Sequence, residues 1–236
     1  MAAHLTLPKW IACAVLAAGF SACRDTTEGV RTQFVGGYAF TTTERRVIAR
    51  IAGDAGREVR RHLPALASQI TLRVQSGKDV IPELGAAAMA SSPDFVTWTV
   101  DADRPEGVVK IAESSLRPAL FHEFHHLVRG TTVPPRTLMD WVVFEGMATA
   151  FERDFAAASP PWGQYPDGVA TWVDELLRQP PETPPSEWLS RERDGRRWIG
   201  MRAGTYLVDT AMKRLNRTSA DLISTPTDAI LQAAHP

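Results

Sequence analysis

The chain has 236 residues, of which 44% are hydrophobic and 22% charged, and its net charge is -1. These values describe one ordinary globular domain with room for a sizeable core, and they exclude a disordered chain. The near-neutral balance leaves no basic excess to grip nucleic acid, so arginine pairs such as Arg60-Arg61 and Arg196-Arg197 read as solvated helix faces.

Residues 1–22 stand apart from the rest. A single lysine, Lys9, precedes an apolar run from Trp10 to Phe20, which suits the core of a signal peptide and falls short of the ~20 residues a membrane span needs. The run ends in Phe20-Ser21-Ala22-Cys23, which resembles a bacterial lipobox with Phe20 where leucine is usual. That resemblance implies cleavage before Cys23, lipidation of its thiol, and a protein exported to the bacterial cell envelope and held on a membrane. Cys13 is then discarded and Cys23 modified, leaving no thiol for a disulfide. The polar, glycine-containing residues 23–40 are expected to tether the lipid to a domain over 41–236.

Within that domain, Thr41 to His62 predicts an amphipathic helix that buries Val47, Ile48, Ile51, Ala55 and Val59. Two strands are expected at Ile70–Val74 and Phe95–Val100, joined by a glycine- and alanine-rich connection. Later segments predict helices over Asp167–Leu177, Pro185–Glu192 and Arg196–Leu215 and a short final pair, separated by proline-rich turns such as "RQPPETPP". A small sheet followed by a mainly helical C-terminal part makes the expected fold class α+β.

The stretch "LFHEFHHLVRG", Leu120 to Gly130, lies on a predicted helix with Ser114 or Ser115 to cap it, Pro118 in its first turn and Gly130 to close it. A helix advances 100° per residue, so His122 and His126 share one face, with Glu123 about a quarter turn away. This is the HExxH arrangement, two imidazoles for a metal and a carboxylate beside it for water. Leu116, Leu120, Phe124 and Leu127 form a separate apolar stripe, so the histidines are not merely core residues.

A catalytic zinc takes three protein ligands and keeps a fourth position for water, so a third donor is needed. The metzincin continuation fails, because Arg129 and Thr132 stand where it requires glycine and histidine. After a turn through Pro134 and Pro135, a second helix carries Glu145 and, two turns later on the same side, Glu152. His125 is a further competing ligand.

Glu145 follows His126 after 18 residues, and "HEFHH", that interval, then "EGMA" resembles the gluzincin class of zinc peptidases. From about Thr41 to Leu231 the chain also resembles a bacterial domain of unknown function described as a predicted zinc-dependent protease, through "EGMA", "WIGMRAGTYLVDTAMKRL" and "TSADLISTPTDAIL". The resemblance implies a zincin-like fold, Zn2+ on His122, His126 and Glu145, Glu123 as the general base and a peptide or protein substrate. It also implies an edge strand that pairs with that substrate, for which Phe95–Val100 and Val108–Ala112 are the candidates. Tyr206, one turn after Arg202 on the late helix, is the candidate oxyanion donor, and either residue can reach the cleft. Thr149 occupies the place where thermolysin-like enzymes put an aspartate, and no GxMxN motif is present. The alternative reading is an envelope lipoprotein, zinc-binding or metal-free, that acts as a structural or adaptor protein without turnover.

Overall fold

A computed structural model of the protein describes residues 29–234. The expected signal peptide and the expected lipidation site, Cys23, lie outside the described residues. The expected tether does not hold in its described part: Gly29–Val35 is strand β1, paired in parallel along its whole length with β2, Gln69–Ser76. Val30 and Phe34 pack on the core, so the fold begins upstream of Thr41.

The architecture is α+β, with a four-stranded mixed sheet in the order β1-β2-β4-β3. Helix α1, Thr42–His62, makes the crossover that parallel β1 and β2 require. Its start is a capping box, in which the Glu44 amide donates to the Thr41 hydroxyl (3.3 Å) and the Thr41 amide to the Glu44 carboxylate (2.7 Å). Ile48, Ala52, Ala55 and Val59 bury its inner face, while Val47 is only half-buried. In β2 and β4 (Phe95–Val100), Ile70, Leu72 and Val74 and Val96, Trp98 and Val100 are buried on alternate positions, so one sheet face packs on helices.

Two expectations about the sheet edge are overturned. Phe95–Val100 is an interior strand, lying between β2 and β3. Val108–Ala112 is helical, spanning α2 (Gly107–Ile111) and the first residue of a π turn. The edge beside β4 is Ala86–Ser92, strand β3, inside the stretch expected as a connection. Alanines have weak strand propensity, and here the ladder from β4 supplies the order.

Chain 107–132 runs helically through α2, the π turn at Ala112–Leu116, and α3, Arg117–Thr132. Ser114 and Ser115 therefore do not cap a helix start; both hydroxyls donate to the Ile111 carbonyl at the start of the π turn. Nor does Gly130 close the helix, which continues to Thr132 and ends with the Val133 amide on the Arg129 carbonyl (2.7 Å). After a short turn, α4 (Leu138–Ala156) runs back alongside α3: Arg117 meets the carbonyls of Phe155 and Ala156, and Gly130 lies by Phe144.

Two apolar clusters sit on either side of this pair. One joins the sheet, α1, α3 and the end of α4; the other joins the first half of α4 to α5 (Val169–Leu177), α7 (Ile199–Leu215) and α8 (Thr227–Ala234), with α6 (Ser186–Leu189) beside α7. Helix α7 crosses α4 backbone to backbone. A Cβ on Gly146 meets the Gly204 carbonyl carbon at 2.2 Å, and one on Gly204 meets the Val142 oxygen at 2.0 Å, so both positions need glycine. The glycine of "EGMA" is thus a packing requirement directly beside Glu145.

Candidate metal centre

Helix periodicity puts His122 and His126 on the same side of α3, and the antiparallel return of α4 brings Glu145 opposite them. Glu145 Oε2 lies 3.2 Å from Nε2 of His122 and 3.5 Å from Nε2 of His126. The three donor atoms fall within 4.8 Å of one another. Ligands at ordinary zinc bond lengths and tetrahedral angles stand about 3.4 Å apart, so the donor spacing and the donor types both fit a zinc ion. The imidazole edges are 9% exposed and the Glu145 side chain 17%, and they face a cleft of about 1020 Å3. That opening is what a three-ligand site needs for its fourth position.

Each imidazole is oriented differently. The His126 ring stacks on Phe144, with centroids 4.3 Å apart and planes 8° from parallel. His122 meets Glu152 instead, with Nδ1 3.2 Å from Oε2. Because Nδ1 is on the opposite side of the ring from the ligand atom Nε2, Glu152 is too far out to be the third ligand. His125 is also removed as a ligand: it is fully buried, its ring faces Phe151 with centroids 5.5 Å apart, and it is not among the donors that converge with Glu145.

The charges at the centre are strongly coupled. Burial raises the Glu145 carboxyl, but the two imidazoles outweigh it and hold the group well below the ordinary carboxylate range. Burial likewise lowers His122, but hydrogen bonds to Glu145 and Glu152 reverse the balance and raise it well above 6.5. Two carboxylates around one imidazole make a site that attracts a cation, a proton or a metal ion in competition.

Glu123 sits a quarter turn from the ligand face, 7% exposed, and its Oε2 accepts the backbone amide of Ala90 on β3 at 2.7 Å. This contact ties the carboxylate to the sheet edge. Ala90 therefore directs its N–H away from β4, and Ala88, two residues earlier, shares that direction along the cleft wall.

The other two expected site residues are elsewhere. Tyr206 packs in the second apolar cluster, edge-on to Tyr165 with centroids 5.4 Å apart, and is not on the cleft wall. Arg202 donates to the Pro161 carbonyl (3.0 Å) and lies over the Trp198 ring, holding the loop after α4 rather than facing the centre. The close crossing at Gly146 and Gly204 turns α7 so that Trp198 and Met201 reach the wall instead. Sequence reasoning missed the Glu123–Ala90 contact, which has no motif, and weighed Glu152 only as a rival ligand.

Comparison with known families agrees with the motif. Residues 48–232 match a family described as a predicted Zn-dependent protease (DUF2268). The chain belongs to this family. The match takes in α3, α4 and α7, and so every residue of the centre, while the family's own description remains that of a predicted activity. No curated protein and no solved structure matches the chain.

Proposed function

We propose that the protein is a zinc-dependent peptidase with a zincin-like arrangement of edge strand and metal helix. The observation that carries this reading is the spacing of His122 Nε2, His126 Nε2 and Glu145 Oε2, with Glu123 beside them and an open cleft in front. A zinc ion bound there supplies a Lewis acid that makes water nucleophilic near neutral pH. Glu123, with one oxygen held by Ala90, has the other to take the proton of the attacking water and pass it to the leaving nitrogen. The outward N–H and C=O of Ala88 are available to pair with an extended peptide along β3, and the alanine side chains leave room for it.

A Glu123→Gln variant assayed on a mixture of unstructured peptides tests the reading. Turnover should fall by about 10²- to 10⁴-fold with zinc content unchanged. Hydrolysis at the unsubstituted rate would remove Glu123 from the mechanism, and no hydrolysis by the unsubstituted protein, zinc-loaded, would favour a binding role.

Export belongs to the same reading. The lipobox-like Phe20–Cys23 supports attachment at the cell envelope through lipid on Cys23. Cys23→Ser should move the protein from the membrane to the soluble fraction of the producing bacterium; an unchanged distribution would contradict the anchor.

A further inference from the structure

Glu152 is not a ligand, yet it is 4% exposed, and among the described residues its hydrogen-bond partner is His122 alone. An isolated buried carboxylate is costly, so its retention beside the centre calls for a role. In thermolysin-like enzymes the orienting aspartate comes four residues after the ligand glutamate. Here Thr149 stands in that place, fully buried, with no partner for its hydroxyl among the described residues. Glu152 comes seven residues after Glu145, which is about two turns and so the same face of α4. Its side chain is one methylene longer than aspartate's, and its oxygen lies 3.2 Å from Nδ1 of His122.

We propose that Glu152 is the positioning carboxylate of the metal centre, accepting the Nδ1 proton of His122 so that the Nε2 lone pair is fixed toward the ligand site. The inference rests on the zinc reading above. A neutral imidazole carries its proton on one nitrogen only, and an acceptor at Nδ1 selects the tautomer that leaves Nε2 free for metal. His126 shows the contrast: among the described residues its buried Nδ1 has no partner, and the Phe144 stack fixes the ring plane but not the tautomer. The pair therefore has one imidazole set by a hydrogen bond and one set by packing, and removal of Glu152 leaves neither tautomer specified.

Zinc affinity, measured by competition with a chromogenic chelator on metal-free protein, tests this without any turnover assay. Glu152→Ala should weaken zinc binding by about 10- to 100-fold. Glu152→Gln, which keeps the shape, should weaken it less than Ala, because an amide oxygen is a poorer acceptor than a carboxylate. Thr149→Val, the control, should bind as the unsubstituted protein does. Affinities of both Glu152 variants within twofold of the unsubstituted protein, with circular dichroism showing them folded, would overturn the positioning role alone. An equal loss in Thr149→Val would overturn it as well, by tracing the effect to packing. Failure of the unsubstituted protein to bind zinc would overturn the zinc reading and this role with it.

Discussion

The two faces of α4 meet their neighbours in opposite ways. Toward α3 the contact is made through polar and aromatic side chains, among them Glu145, Glu152, His122, His126 and the Phe144 ring. Toward α7 apolar side chains of both helices pack around a point where the backbones meet directly, at Gly146 and Gly204. The polar face needs exact placement of long, flexible side chains, and the glycine contact on the other face fixes the helix that carries them.

The same substitution made on the two faces should have opposite signs. Gly146→Ala places a methyl group 2.2 Å from a backbone carbon that has no room to move, and should cost about 3 kcal/mol or more. Thermal unfolding should then drop by roughly 6–12 °C for a domain of this size. Gly130→Ala on α3 meets only Phe144, at an ordinary 3.8 Å, and lies inside the helix, so it should stabilise by about 0.5–1 kcal/mol. A loss of stability at Gly130, or tolerance at Gly146, would break the contrast.

A smaller and graded effect is expected from pH. The His122 pKa is raised in the metal-free protein, so its proton competes with zinc at higher pH than a free imidazole would allow. Zinc affinity should therefore already be falling above pH 6.5 and continue to fall on acidification. In the metal-free protein the same shift has the opposite consequence for folding. A group with a raised folded pKa gives stability that is fully present below 6.5 and is lost as pH rises through the folded value. Metal-free stability that increased from pH 7 to pH 9 would contradict the shift.

Much of the centre was legible in the sequence because helix geometry is periodic. His122 and His126 had to share a face, and a chain reversal within 18 residues had to bring Glu145 near them. The amphipathic pattern of α1 and the alternation of Ile70, Leu72 and Val74 in β2 were equally local. The illegible parts depend on partners distant in sequence. Strand β3 is read from its pairing with β4, since Ala86–Ala90 carries no strand signal of its own. Likewise, Tyr206 was misplaced for want of a rotation angle, since the crossing at Gly204 sets how α7 faces its neighbours, whereas Glu152, weighed behind Glu145 as a rival ligand, meets Nδ1 of His122, a contact no spacing in the sequence encodes.

The most direct test of the account is the zinc stoichiometry of the purified protein beside His122→Ala and Glu145→Ala. About one zinc per chain is expected in the unsubstituted protein and none in either variant. Zinc retained in Glu145→Ala would contradict the three-ligand centre, and no zinc in the unsubstituted protein after reconstitution would contradict the metal site itself.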